Sequence, residues 1–116
     1  MNFGSYIRER REQLRAGDAQ YSLRQVASRV GIEPAYLSKI EREEFSPPGE
    51  ETIRSIASEL GEDADVLLAM AGKVSSDLQE VIRKRPALFA ELIRELRNVP
   101  DDAVLRIARQ VKDGEW

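Results

Sequence analysis

The chain contains no cysteine and no histidine. The first absence excludes disulfides, thiolate zinc sites and cysteine nucleophiles. The second removes the usual zinc and haem ligands and the common general base near neutral pH. Long apolar runs are missing too. The longest, Val66 to Ala71, has 6 residues, against the roughly 20 that a membrane-spanning helix needs. The N-terminus lacks the cationic-then-apolar layout of a secretory signal. A cytoplasmic protein with no membrane association is expected. Strand-like alternation, internal repeats and low-complexity tracts are absent, so helical periodicity is the organising pattern.

What is present is 116 residues, one domain's worth of chain, with 34% charged and 41% apolar side chains. Lys and Arg number 18 and Asp and Glu 21, a net charge of −3. That balance counts against a non-specific polybasic nucleic-acid binder. It leaves room for a reader whose cations share one face. No carboxylate pair falls in an expected cleft, Asp63 and Asp65 lack calcium-loop spacing, and adjacent Ser38 and Lys39 diverge on a helix. No enzyme activity and no cofactor are expected.

Phe3, Ile7, Arg11 and Leu14 recur at spacings of four, four and three, one face of a first helix ended by Gly17 and Asp18. Residues 15–21 read as a polar connection. Ser22 caps a second helix that buries Leu23, Val26, Ala27 and Val30 and stops at Gly31. Glu33 is placed as the cap of a third helix, from about Pro34 to Arg42, burying Leu37 and Ile40. Residues 43–49 contain two prolines and a glycine and cannot be helical. A fourth helix is expected over about Glu50–Leu60, with Ile53, Ile56, Ala57 and Leu60 inward, and a fifth over about Asp63–Ala71, carrying Val66, Leu67 and Met70.

Beyond Gly72 the character changes. Ser76 and Gln79 suggest a capping box, Pro86 breaks the next helix and starts another, and Pro100-Asp101-Asp102 opens the last. Arg83-Lys84-Arg85 is best read as a solvated helix end, and Arg8, Arg10 and Arg15 as a solvated face. The expected organisation is all-α: a five-helix repressor-like unit over residues 1–72 and a helical extension over 73–116.

Residues 23–43, LRQVASRVGIEPAYLSKIERE, have the layout of two short helices joined by a tight glycine turn. Ala27 is small where the helices cross, and Ile32 plugs the inside of the turn. This leaves Pro34, Ala35, Tyr36, Ser38, Lys39 and Arg42 on or near the outer face, a shape that fits the major groove. Arg24 and Arg29 lie near the same docking surface.

With these pieces in place the chain resembles the Xre-type, phage repressor/Cro-like helix-turn-helix proteins. The matching segments are RERREQL, SLRQVA, VGI, YLSKIE and ETIRSIASELG, within about residues 3–71. The resemblance implies a sequence-specific DNA-binding transcriptional regulator. Ser22, Arg24 and Gln25 would touch phosphates. Pro34, Ala35 and Lys39 would lie at base edges, the first two offering apolar contact and Lys39 a donor to guanine. Tyr36, Ser38 and Arg42 would meet backbone or flanking bases. Arg11 and Glu41 match a structural ion pair. The chain departs from the pattern at Leu23, where glutamine is common, and at Glu43, where glycine is usual. Glu43-Glu44 is acidic where a phosphate-facing loop would prefer lysines, and the connection after the first helix is long. Each departure lowers the expected affinity of a single domain.

The extension carries two apolar stripes. Leu88, Phe89, Leu92, Ile93 and Leu96 form one; Val104, Leu105, Ile107, Ala108 and Val111 form the other. Two antiparallel helices would bury one face on each other and leave apolar surface to cover. The reading adopted is homodimerisation, through Leu88, Phe89, Leu92, Ile93, Leu96, Val104, Ile107 and Val111. The competing reading folds them back as extra core. Double-stranded DNA is the expected partner, bound by a homodimeric repressor at an inverted repeat. The alternative is an antitoxin-like protein that binds a toxin or peptidase and whose DNA binding serves autoregulation.

Overall fold

The computed structural model describes residues 2–114 and 116. Among them the chain is all-helical, with no strand. The helices are α1 (Phe3–Arg15), α2 (Leu23–Val30), α3 (Pro34–Glu41), α4 (Glu50–Leu60), α5 (Ala64–Met70), α6 (Ser76–Lys84), α7 (Pro86–Leu96) and α8 (Asp101–Lys112). The chain divides into two compact units, one ending at Ser75 and the other starting at Ser76.

In the first unit local chemistry sets the helix ends. Asp18 accepts the Gln20 N–H at 2.9 Å and starts a single 3₁₀ turn, Ala19–Tyr21, so the connection after α1 is ordered. The Ser22 hydroxyl accepts the Gln25 N–H at 3.2 Å and caps α2. Gly31, at φ +86°, takes the left-handed conformation that closes α2 and turns the chain towards α3. Pro34 opens α3, where a missing N–H costs nothing. Glu33 precedes it, but its side chain makes no capping hydrogen bond.

The core gathers Phe3 and Ile7 from α1, Val26 and Ala27 from α2, Leu37 and Ile40 from α3, Ile53, Ile56, Ala57 and Leu60 from α4, and Leu67 and Leu68 from α5. Each large member contributes roughly 1.5–3 kcal/mol relative to an exposed position. Leu14, Leu23 and Val30 pack at the edge, partly buried. α5 differs from expectation. Its inward face is Ala64, Leu67, Leu68 and Ala71, spaced three, four and seven residues from the first. Val66 and Met70 are left 46% and 36% exposed. Neighbouring positions are 100° apart around a helix, so adopting the 64/67/68/71 face turns 66 and 70 outward.

Gly4 is buried where α1 meets the end of α3. A Cβ there would lie 2.2 Å from the Ile40 carbonyl oxygen and 3.1 Å from that of Glu41. Only a residue without a side chain allows this approach.

The second unit contains α6, α7 and α8, and none of their described residues is buried. α6 begins at Ser76. α6 packs on α7, while α7 and α8 meet only sparsely. The expected hairpin with mutually buried faces does not form. Leu88, Leu92 and Ile93 of α7 and Ile107 and Val111 of α8 are exposed; Phe89, Leu96 and Val104 are partly buried. Helices of 11 and 12 residues that barely touch cannot cover stripes this broad.

Gly4→Ala is expected to destabilise the chain by roughly 1–3 kcal/mol through overpacking, despite alanine's higher helix propensity. Urea unfolding followed by circular dichroism measures this; a neutral or stabilising result would contradict the close contact.

Candidate nucleic-acid interface

α2 and α3 are held from inside by Val26, Ala27, Leu37 and Ile40, so their remaining faces point away from the core. Ser22 is half-buried at the α2 cap; Arg24 and Gln25 are exposed in the first turn of that helix. Ala35 is exposed, and Pro34, Tyr36, Ser38 and Lys39 are half-buried on α3. Arg42 follows α3 directly and is exposed. Its Nε donates to the Ser38 hydroxyl at 3.2 Å, and its Nη1 to Glu44 at 3.0 Å. Arg29 is engaged too: Nε meets Glu59 of α4 at 2.6 Å, and the guanidinium lies 5.5 Å from the Tyr21 ring centroid. Of these four cations, Arg24 and Lys39 alone have no carboxylate partner among the described residues. Arg10, grouped above with a solvated face, pairs with Glu62 at 3.3 Å.

Arg11 and Glu41 lie at the base of this surface, each 4% exposed. Arg11 Nε donates to Glu41 Oε2 at 2.7 Å and Nη2 to Oε1 at 2.9 Å, a bidentate pair. Nη1 donates to the Tyr21 carbonyl at 3.1 Å, and Nη2 also reaches Glu12 at 3.0 Å. The Glu41 hydrogen bonds raise the Arg11 pKa above its ordinary value, against burial, which pulls it down. The guanidinium therefore joins α1, the 3₁₀ turn and the last residue of α3.

The two carboxylates of the acidic loop after α3 are both engaged within the fold. Glu43 sits at φ +62°, the left-handed region favoured by the glycine usual at this position. Its carboxylate turns to the start of α1. It accepts from Asn2 Nδ2 at 2.9 Å, the Ser5 hydroxyl at 3.3 Å and, more weakly, the Ser5 N–H at 3.4 Å. An anion is favoured at a helix N-terminus. The Asn2 hydrogen bond, supported by those from Ser5, holds the Glu43 carboxyl below its ordinary pKa, against a smaller opposing effect of burial. Glu44 is occupied by Arg42.

Two structural roles at this site were not legible in the sequence pattern: the close approach at Gly4 and the partners of Glu43. The departure from glycine at position 43 marked the place but not the partner. Among the described residues no His, Cys, Asp or Glu cluster could hold a metal, and no helix is long and apolar enough to cross a membrane.

A family model described as a helix-turn-helix domain matches residues 4–73, from the second residue of α1 to beyond α5. The chain belongs to that helix-turn-helix domain family. It is also 39% identical over 69 residues to proteins named uncharacterized HTH-type transcriptional regulators in two strains of Mycobacterium tuberculosis, CDC 1551 / Oshkosh and H37Rv. The matched segment covers 60% of this chain and 45% of each relative, so the chain spans less than half the length of these curated relatives. No solved structure matches significantly.

Glu43→Gln is expected to lower the melting temperature at pH 7. A depressed folded-state pKa contributes stability above the ordinary carboxyl value of 4.5, lost as pH falls through the folded value. The gap between wild type and variant should therefore close below pH 4.5. Thermal melts across that range check it; a gap independent of pH would contradict the assignment.

Proposed function

We propose that the chain is a sequence-specific DNA-binding transcriptional regulator of the Xre, phage repressor/Cro-like kind, acting in the cytoplasm as a homodimeric repressor. One observation carries this reading. The outward face of α3 follows a left-handed glycine turn, and Lys39 on it and Arg24 on α2 have no carboxylate partner among the described residues.

In this reading the N-terminal half of α3 enters the major groove. Pro34 and Ala35 offer apolar contact to a thymine methyl, and Lys39 donates to guanine O6 or N7. Ser22, Arg24 and Gln25 meet phosphates at the start of α2, where backbone N–H groups also point outward. Tyr36, Ser38 and Arg42 meet backbone or flanking bases, Arg42 after exchanging Glu44 for a phosphate. Occupancy of the operator keeps polymerase from the promoter, and no chemical step is assigned to the chain.

The uncovered apolar side chains of α7 and α8 support a partner surface. A second copy is the occupant proposed, through Leu88, Phe89, Leu92, Ile93, Leu96, Val104, Ile107 and Val111. Two readers about a two-fold axis then match an inverted repeat. The same exposed surface also suits a second reading, in which the unit holds a toxin or peptidase and DNA binding serves autoregulation.

Lys39→Ala is expected to cost roughly 1–3 kcal/mol and to relax preference at one base pair, whereas Arg24→Ala should weaken all duplexes alike and reduce the salt slope by about 1. Selection from a random duplex library and salt titrations separate the two; uniform loss for Lys39→Ala would contradict base reading. Replacing Leu92 and Ile107 with glutamate should halve the mass measured by light scattering, from dimer to monomer. A wild-type monomer, or an unchanged dimer in the variant, would reject the dimer surface.

A further inference from the structure

Phe45 lies in the loop between α3 and α4 and is 47% exposed. The backbone brings it back onto α3. Glu44 and Phe45 both donate their N–H groups to the Lys39 carbonyl, at 2.9 and 3.3 Å. The loop is thus anchored on the residue whose side chain is proposed to read a base. The Phe45 ring lies under the Lys39 ammonium, with Nζ 5.0 Å from the ring centroid. Tyr36, three residues before Lys39 and so on the same helix face, stands beside the Phe45 ring. Its ring centroid is 6.0 Å from that of Phe45, with planes tilted by 52°.

The two neighbouring carboxylates that might have captured Lys39 are engaged elsewhere. Glu43 is held by Asn2 and Ser5, and Glu44 by Arg42. A carboxylate would neutralise the ammonium. An aromatic face restrains it while leaving its charge available to another acceptor. Lysine needs such restraint, because its four-carbon stem carries high rotamer entropy.

We propose that Phe45 is a positioning residue for base reading: its ring, backed by Tyr36, holds the Lys39 ammonium in the orientation from which it meets one base pair. The proposal rests on the reading of α3 as the helix that enters the major groove. It makes a loop outside the two motif helices part of the specificity apparatus.

The test uses the whole 116-residue chain with Phe45→Ala, Phe45→Leu and Phe45→Tyr. Phe45→Leu keeps apolar bulk in the loop and removes the π face, so it separates loss of the ring from loss of packing. In NMR spectra of the free protein, the Lys39 side-chain methylene protons should be shifted upfield by the ring in wild type and Phe45→Tyr. They should lose that shift in the other two variants. In selection from a random duplex library, Phe45→Ala and Phe45→Leu should reduce preference about two- to fivefold. The loss should fall at the base pair that Lys39→Ala relaxes, with other positions unchanged and Phe45→Tyr behaving as wild type. An enriched wild-type sequence that both variants select unaltered would overturn the role of Phe45 and leave the DNA reading standing. A loss spread evenly over all positions, or no ring-induced shift in wild type, would also overturn it. No enriched sequence with wild type would overturn the DNA reading and this proposal with it.

Discussion

A buried bidentate ion pair holds α3 in place against α1. Arg11 and Glu41 are both nearly inaccessible to water, and every guanidinium nitrogen of Arg11 is satisfied. Taking two charges out of water offsets much of their attraction, so the pair is not a large net source of stability. Its consequence is geometric. Removing one partner leaves an uncompensated buried charge, which typically costs about 3–5 kcal/mol. An arrangement that separates the two is therefore excluded, and the last residue of α3 has one place to sit against α1. Gly4 brings the helices together at the same junction, and Glu43 ties the following loop to the start of α1. All three devices act at the C-terminal end of α3. The opposite end is left to face outward on a rigid base.

Placement of the acidic groups bears on the net charge of −3. Glu41 is internal, Glu43 lies at a helix N-terminus, Glu44 is paired with Arg42, and Glu59 with Arg29. These four carboxylates are thus engaged within the fold, Glu33 ahead of α3 makes no capping hydrogen bond, and among the described residues Arg24 and Lys39 have no carboxylate partner. The exposed pairs are worth little to stability. Their effect is on which cations remain available and which must first exchange partners. Local arrangement, more than the sum of charges, decides what such a surface attracts.

Elements governed by local rules were legible in the sequence. Ser22 caps α2, Gly31 and Gly61 take left-handed conformations at helix ends, Pro34 and Pro86 open helices, and α4 runs from Glu50 to Leu60 with Ile53, Ile56, Ala57 and Leu60 inward. These depend on a residue and its neighbours within one turn. The features that escaped depend on distant parts of the chain. Gly4 is defined by carbonyls near residue 40, and Glu43 by a helix that starts 40 positions earlier. The buried face of α5 was displaced because a seven-residue helix with apolar side chains on several sides fits more than one face. In the second unit the apolar stripes were visible, but their partner was not, because α7 and α8 do not bury one another. The residues proposed to face DNA rest on the family resemblance. The fold adds which of them are free and which are held.

The account stands or falls on whether the outer faces of α2 and α3 meet DNA. The direct measurement is a titration of the isotopically labelled 116-residue chain with a random-sequence duplex at low salt, followed by amide NMR. The shifts should concentrate at Ser22–Gln25 and Ala35–Arg42, weaken as salt is raised, and leave α6 to α8 unaffected by contact with the duplex. Shifts confined to the second unit, or none at any salt concentration, would contradict the account.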